Sequence, residues 1–164
     1  MNIIERAQAL AAFGVSVVPC NWWTKRPRMK WKPLQTRIMD GDEIARHFVG
    51  VQSMAVICGE ISGGLLVIDF DVPSFYDAWL ADVFHIAGVD SLPVQRTGKG
   101  VQVYLRTGLP GRNAKLAATK DESEKCGWRV AIETRHDGGY AIVDPSKHPN
   151  GRHYQFIHRD ILQT

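Results

Sequence analysis

Gly63-Gly64-Leu65-Leu66-Val67-Ile68-Asp69-Phe70-Asp71 is the stretch on which the fold turns. Leu65 to Ile68 are aliphatic and lie between glycines and acids, the pattern of a short strand buried on both faces. Residues two apart on a strand project to the same side, so Asp69 and Asp71 leave the core together. Paired carboxylates repel, and each raises the other's pKa unless a positive charge sits between them. A divalent cation held by oxygen donors, Mg²⁺ or Mn²⁺, is one such partner, and it serves phosphoryl and nucleotidyl transfer. A solvated turn after the strand fits the same two acids, and Asp-x-Asp alone does not separate these readings.

Outward from this strand the pattern alternates. Asn2 to Phe13 reads as a helix capped by Asn2 and stopped by Gly14, and Val15 to Pro19 as a strand. Asp40 to Phe48 reads as a second helix, its first-turn acids favoured by the dipole. Met54 to Cys58 is a strand joined to the central one through Gly59-Glu60-Ile61-Ser62. Pro73 to Ile86 is a third helix, opened by proline and closed before Gly88. Strands follow at Val94 to Arg96 and Val101 to Arg106, around the turn Thr97-Gly98-Lys99-Gly100. The polar stretch Thr107 to Gly127 is expected to separate these from a final meander of Trp128 to Thr134, Tyr140 to Val143 and His153 to Ile157. The mixture is α+β with a substantial antiparallel sheet. A linker is expected to begin after Ile157.

A chain of 164 residues, 45% of them hydrophobic, suits one domain with a sizeable core. No apolar run approaches the roughly 20 residues of a membrane span. The N-terminus lacks the basic start and apolar run of a signal peptide. Cys20, Cys58 and Cys126 are too scattered for a disulfide framework or a Cys-pair zinc site, which points to a reducing cytoplasm. The net charge of +3 is too small to argue nucleic-acid binding by itself.

The placement of charge says more. Between Trp22 and Arg37 stand Lys25, Arg26, Arg28, Lys30, Lys32 and Arg37, with no acid among them, and Trp22, Trp23 and Trp31 are interleaved. Basic residues answer phosphates and exposed indoles stack bases, a composition suited to single-stranded template. The same segment also reads as a solvated basic loop with its tryptophans turned inward. Glu133 ends an apolar strand beside Asp137-Gly138-Gly139-Tyr140, a place for a third metal carboxylate or for an ordinary surface acid. Lys99 sits in a glycine turn that suits a phosphate or a plain hairpin. Asp144-Pro145-Ser146-Lys147-His148-Pro149-Asn150-Gly151 gathers donors for an anion, or is simply a polar loop.

In order and spacing these pieces resemble the primase-polymerase (prim-pol) domain of the archaeo-eukaryotic primase superfamily, found in phage and plasmid replication proteins. The likeness runs from Gly14-Val15-Ser16-Val17-Val18-Pro19 to Tyr154. It includes Lys25 to Trp31, Gly59 to Asp71, Gly98 to Tyr104 and Gly138 to Gly151. It implies a catalytic module resembling an RNA-recognition motif, with a mixed or antiparallel sheet, fused to a smaller N-terminal α/β part. The active site is expected in the cleft between them. Residues 1–157 would form the catalytic domain, and 158–164 the start of a linker to a helicase-type region of the same polypeptide. Asp69, Asp71 and Glu133 would be the catalytic, metal-binding carboxylates. Arg96, Lys99, Gln102, Ser146 and His148 would hold the triphosphate, with Lys25 and Arg135 beside them. Arg26, Arg28, Lys30, Lys32, Trp22 and Trp31 would meet the template.

Two departures stand out. The family places His where this chain has Gln102, which carries no charge, and it places Asp where this chain has Glu133. Some members also carry a zinc stem; Thr107 to Gly127 holds only Cys126, so no structural zinc is expected. The implied activity is DNA primase or DNA polymerase chemistry on single-stranded or primed DNA with NTP or dNTP substrates, by a two-metal mechanism using Mg²⁺ or Mn²⁺ in a bacterial or archaeal cytoplasm. A nucleic-acid-binding module with decayed catalysis and a metal-dependent nuclease are the alternatives the same residues leave open.

Overall fold

Both N-terminal helices begin on capping boxes. In α1 (Ile3–Ala12) the Asn2 side chain accepts from the Ile4 and Glu5 N–H groups while Glu5 reaches back to Asn2 N–H; in α2 (Gly41–His47) Asp40 and Glu43 do the same. The computed structural model describes residues 1–163 and adds a third helix, α3 (Pro73–Val83), started by its proline. Among the described residues nine strands complete the fold: β1 (Val17–Cys20), β2 (Ser53–Ile57), β3 (Leu65–Phe70), β4 (Val94–Arg96), β5 (Val101–Arg106), β6 (Ala114–Lys120), β7 (Trp128–Arg135), β8 (Tyr140–Val143) and β9 (Gln155–His158). They form two antiparallel sheets, a three-stranded one in the order β1-β2-β8 and a six-stranded one in the order β6-β7-β3-β5-β4-β9.

The central strand does separate two cores, as its aliphatic run implies. Leu65 and Val67 enter the larger one, which holds β1, β2, β8 and the inner faces of α1 and α2. Phe70, with Ile68 beside it, points the other way to Phe75, Tyr76 and Trp79 of α3. Period-2 alternation therefore leaves Asp69 on the side of the larger core, at the open end of the strand.

Three expectations are corrected. Thr107 to Gly127 is not a plain polar spacer: it contains β6, paired with β7 through a bulged register. The last three strands do not form a meander. β7 joins the large sheet, β8 crosses to the small one and β9 closes the far edge beside β4. Residues 158–163 are not a linker, because Ile161 is fully buried in the larger core and Asp160 bonds the buried Arg6 at 2.7 Å; Thr164 lies outside the described residues.

Candidate active site

Register builds the site. Asp69 stands opposite Gln102 of β5 on one side and Glu133 of β7 on the other, and Gln102 faces Gln95 of β4. Directly opposed residues share a face. One polar row, Glu133-Asp69-Gln102-Gln95, thus crosses four strands beneath the small sheet, with Asp71 just beyond the strand end. Asp69, Asp71, Gln102 and Glu133 line a cleft of about 380 Å³ together with Lys25 and Arg135.

Acids form the floor of this cleft and cations its rim. Burial, then the neighbouring Asp71, pushes the Asp69 carboxyl up to about 6, against the Gln102 amide that donates to its Oδ2 at 3.1 Å. Burial lowers the Lys25 ammonium, which Asp71 and Asp69 partly restore. His148 is also lowered, chiefly by burial and then by Lys25 and Lys99, with Asp71 opposing. His148 stands beside the cleft, its ring 5.7 Å from that of Tyr154, which lines it with Lys25 and Asp71.

Lys25 reaches the cleft from a hydrogen-bonded hairpin tip. Asn21 Oδ1 accepts the Trp23 and Thr24 N–H groups, and Lys25 N–H donates to Asn21 O at 2.8 Å. The turn leaves Lys25 in the left-handed region with φ 59, a conformation that L-residues with side chains seldom adopt. Gly98 lets the turn that carries Lys99 press on His148: a Cβ there would fall against the imidazole ring.

The carboxylates suit a hard divalent cation in chemistry, since all their donors are oxygen. Among the described residues no three His, Cys, Asp or Glu side chains are disposed to hold an ion as they stand. Glu133 is turned onto the Arg135 guanidinium. Asp69 and Asp71 are the acids of the cleft with no ion pair among the described residues, while Glu133 is held by Arg135.

The sequence matches the family described as the N-terminal domain of bifunctional DNA primase/polymerases over residues 7–163. The chain belongs to the Prim-Pol family. Among curated proteins nothing matches it. Nearly the whole chain is thus Prim-Pol, including the terminal turn that packs on the core.

Within this Prim-Pol domain not every expected site residue reaches the cleft. Arg96 follows Gln95 by one residue and so faces away from Asp69, bonding Gln155 at 2.9 Å. Ser146 is fully buried and spends its hydroxyl on Met54, donating to the carbonyl at 3.0 Å and accepting the N–H at 2.8 Å. It fastens the loop to β2 and has no donor left for a phosphate. Trp31 packs edge-on against Tyr140 at 5.2 Å and leans on the larger core, so it is a packing residue. Trp22 lies under the Lys147 ammonium, 4.2 Å from the ring centre. Trp23 is the exposed indole of the three, 63% accessible and propped edge-on by Trp22. Arg26 lines the cleft; Arg28, Lys30 and Lys32 stand exposed beyond it.

Several cleft residues have no signal in the sequence. Tyr140, Tyr154 and Asn113 line it, yet nothing in their local pattern separates them from packing residues. Gln95 has one signal in the sequence: the turn Thr97 to Gly100 pairs position 95 with 102, which sets its amide in the row of Asp69. Among the described residues no helix is long and apolar enough to cross a membrane. Burial pushes the Cys20 and Cys58 thiols up to about 12, which keeps both protonated and unreactive.

Proposed function

We propose that this domain carries out template-directed nucleotidyl transfer, extending a DNA primer with nucleotide triphosphates. The observation that carries this reading is the cross-strand row placing Asp69 between Glu133 and Gln102, with Asp71 adjacent, at the floor of a cation-rimmed cleft. Asp69, Asp71 and Glu133 would hold Mg²⁺ or Mn²⁺, which when bound activates the primer 3′-hydroxyl and neutralises the triphosphate. Lys25, Lys99, Arg135 and His148 supply the counter-charge and donors for the phosphates. Arg135, now paired with Glu133, would be available to a phosphate if that carboxylate served the cation instead.

Position 102 is the departure with the clearest structural account. Gln95 and Tyr104 both donate to Gln102 Oε1, so the residue at 102 must offer an acceptor inward and a donor outward. Only the neutral form of an imidazole meets that demand. Gln102 therefore keeps the outward donor that a histidine in this setting would supply. The six-stranded sheet with α3 on its outer face is the part we read as the module resembling an RNA-recognition motif. Basic residues of the segment 22–32 would meet the template strand. The wider setting we propose, phage or plasmid replication in a bacterial or archaeal cytoplasm beside a helicase region, rests on the family resemblance alone.

Incubation with a primed template, Mn²⁺ or Mg²⁺ and labelled deoxynucleotides tests the reading. Product longer than the primer, lost in Asp69→Ala and Asp71→Ala, supports it. Shortened primer would identify a nuclease, and retention without reaction a binding module.

A further inference from the structure

Gln95 is fully buried in β4, where an amide is costly unless its hydrogen bonds are made. Its Oε1 accepts the Asp144 N–H at 2.6 Å, and its Nε2 lies 2.8 Å from Gln102 Oε1, 2.9 Å from the Tyr104 hydroxyl and 3.1 Å from Ile142 O. Turning this amide over would set NH₂ against the Asp144 N–H and oxygen against the Ile142 carbonyl. The main chain at the end of β8 therefore fixes which way Gln95 points.

Gln95 then fixes Gln102. The Gln102 Oε1 receives Gln95 Nε2 and, at 2.9 Å, the Tyr104 hydroxyl, so its acceptor is committed inward twice. What remains for the cleft is the NH₂ group, which holds Asp69 Oδ2 at 3.1 Å. A carboxylate pinned by such a bond offers its remaining lone pairs in a fixed direction.

We propose that Gln95 is a positioning residue for Asp69, acting through Gln102 and oriented by the main chain of the small sheet. The inference rests on the reading of Asp69 as a metal ligand. It gives the small sheet a part in the chemistry without any contact to substrate: a shift of β8 relative to β4 reaches Asp69 through two amides.

The test is Mn²⁺ affinity of the whole chain without nucleotide, followed by the electron paramagnetic resonance signal of free Mn²⁺, with melting temperature measured alongside. Gln95→Met, Gln102→Met, the double variant and Asp69→Asn form the set. Gln95→Met is expected to weaken Mn²⁺ binding about 10-fold, the lower end for partners that orient a metal ligand. The double variant should bind no more weakly than Gln102→Met, because one broken link already cuts the relay. A residue that only packs would lower the melting temperature and leave Mn²⁺ affinity within about twofold of wild type; that result, or losses that multiply in the double variant, overturns the proposal. Should Gln95→Met not fold, Gln95→Glu keeps the acceptor for Asp144 N–H, and the same loss or its absence decides. Failure of the metal reading looks different: wild type then binds no Mn²⁺, or Asp69→Asn binds it equally well, and the relay falls with it.

Discussion

Lys25 holds a left-handed backbone and carries its ammonium into a partly buried cleft. Both features work against folding. The backbone strain is on the order of 1 kcal/mol, and the downward pKa shift means that burial outweighs the pull of Asp69 and Asp71. Lys25→Gly is therefore expected to raise stability by about 0.5–1 kcal/mol while lowering nucleotide affinity at least 10-fold. Melting curves and the nucleotide KM check the two halves, and a destabilised variant with normal KM would remove Lys25 from the site. Asp69 shows the same opposition through pH. Its carboxyl ionises near 6 when folded, against 3.8 for an ordinary aspartate, so the unfolded chain releases the proton first. Stability is then fully present below about pH 4 and falls as pH rises to about 6, by at most about 3 kcal/mol. Asp69→Asn should melt with wild type near pH 4 and several degrees above it at pH 7.5, both in EDTA. Equal melting at pH 7.5 would mean the carboxylate is well solvated. The acid pair itself was legible in the sequence because strand alternation fixes the side of each residue. That same rule, applied to Val94-Gln95-Arg96, puts Arg96 on the far face.

Elements differ in how plainly the sequence declares them, for physical reasons. The capped helices and the aliphatic strands announce themselves locally, through Asn2, Asp40 and the run Leu65 to Ile68. β6 does not, since Ala114-Lys115-Leu116-Ala117-Ala118-Thr119-Lys120 is a largely exposed edge strand with no β-branched run and a bulged register. Strand partnership is also non-local. Nothing in Tyr140 to Val143 says that it crosses to the small sheet, because that choice depends on β2 about 85 residues earlier. The terminal turn hid behind polar residues, yet its anchor is testable. Arg6 on α1 is buried, with Asp160 at 2.7 Å and Asp144 at a longer 3.8 Å. Asp160 Oδ1 also accepts the Leu162 N–H at 3.0 Å. Asp160→Ala leaves a buried guanidinium with one distant partner, which should cost about 2–3 kcal/mol. Asp160→Asn, which retains an acceptor, should cost less. Urea unfolding checks both, and a loss below about 0.5 kcal/mol in Asp160→Ala would show that residues 158–163 do not anchor α1.

At the scale of the whole molecule, a net charge of +3 conceals a separation of roles. Acids gather at the cleft floor, cations line its rim, and the basic segment 25–32 continues outward from the hairpin tip that carries Lys25. Electrostatic attraction to a template and stacking on it leave different signatures. Each phosphate neutralised releases counterions, so Lys30→Ala with Lys32→Ala should weaken single-strand binding about equally across sequences. It should also flatten log affinity against log salt by roughly 0.7 for each phosphate left without its lysine. Stacking carries no such slope. Trp31 has its ring packed on Tyr140, so the stacking proposed for this segment falls to Trp23, whose ring is exposed. Trp23→Ala should thus leave the melting temperature unchanged and cost about 1–3 kcal/mol of single-strand affinity at constant salt slope. Trp31→Ala should do the reverse, lowering stability by about 2–3 kcal/mol and affecting binding only as the fold is lost. Measuring melting temperature and salt slope on the same variants separates the two. Normal binding in Trp23→Ala, or a normal slope in the lysine variant, would take the template off this face and leave the hairpin tip to the nucleotide alone.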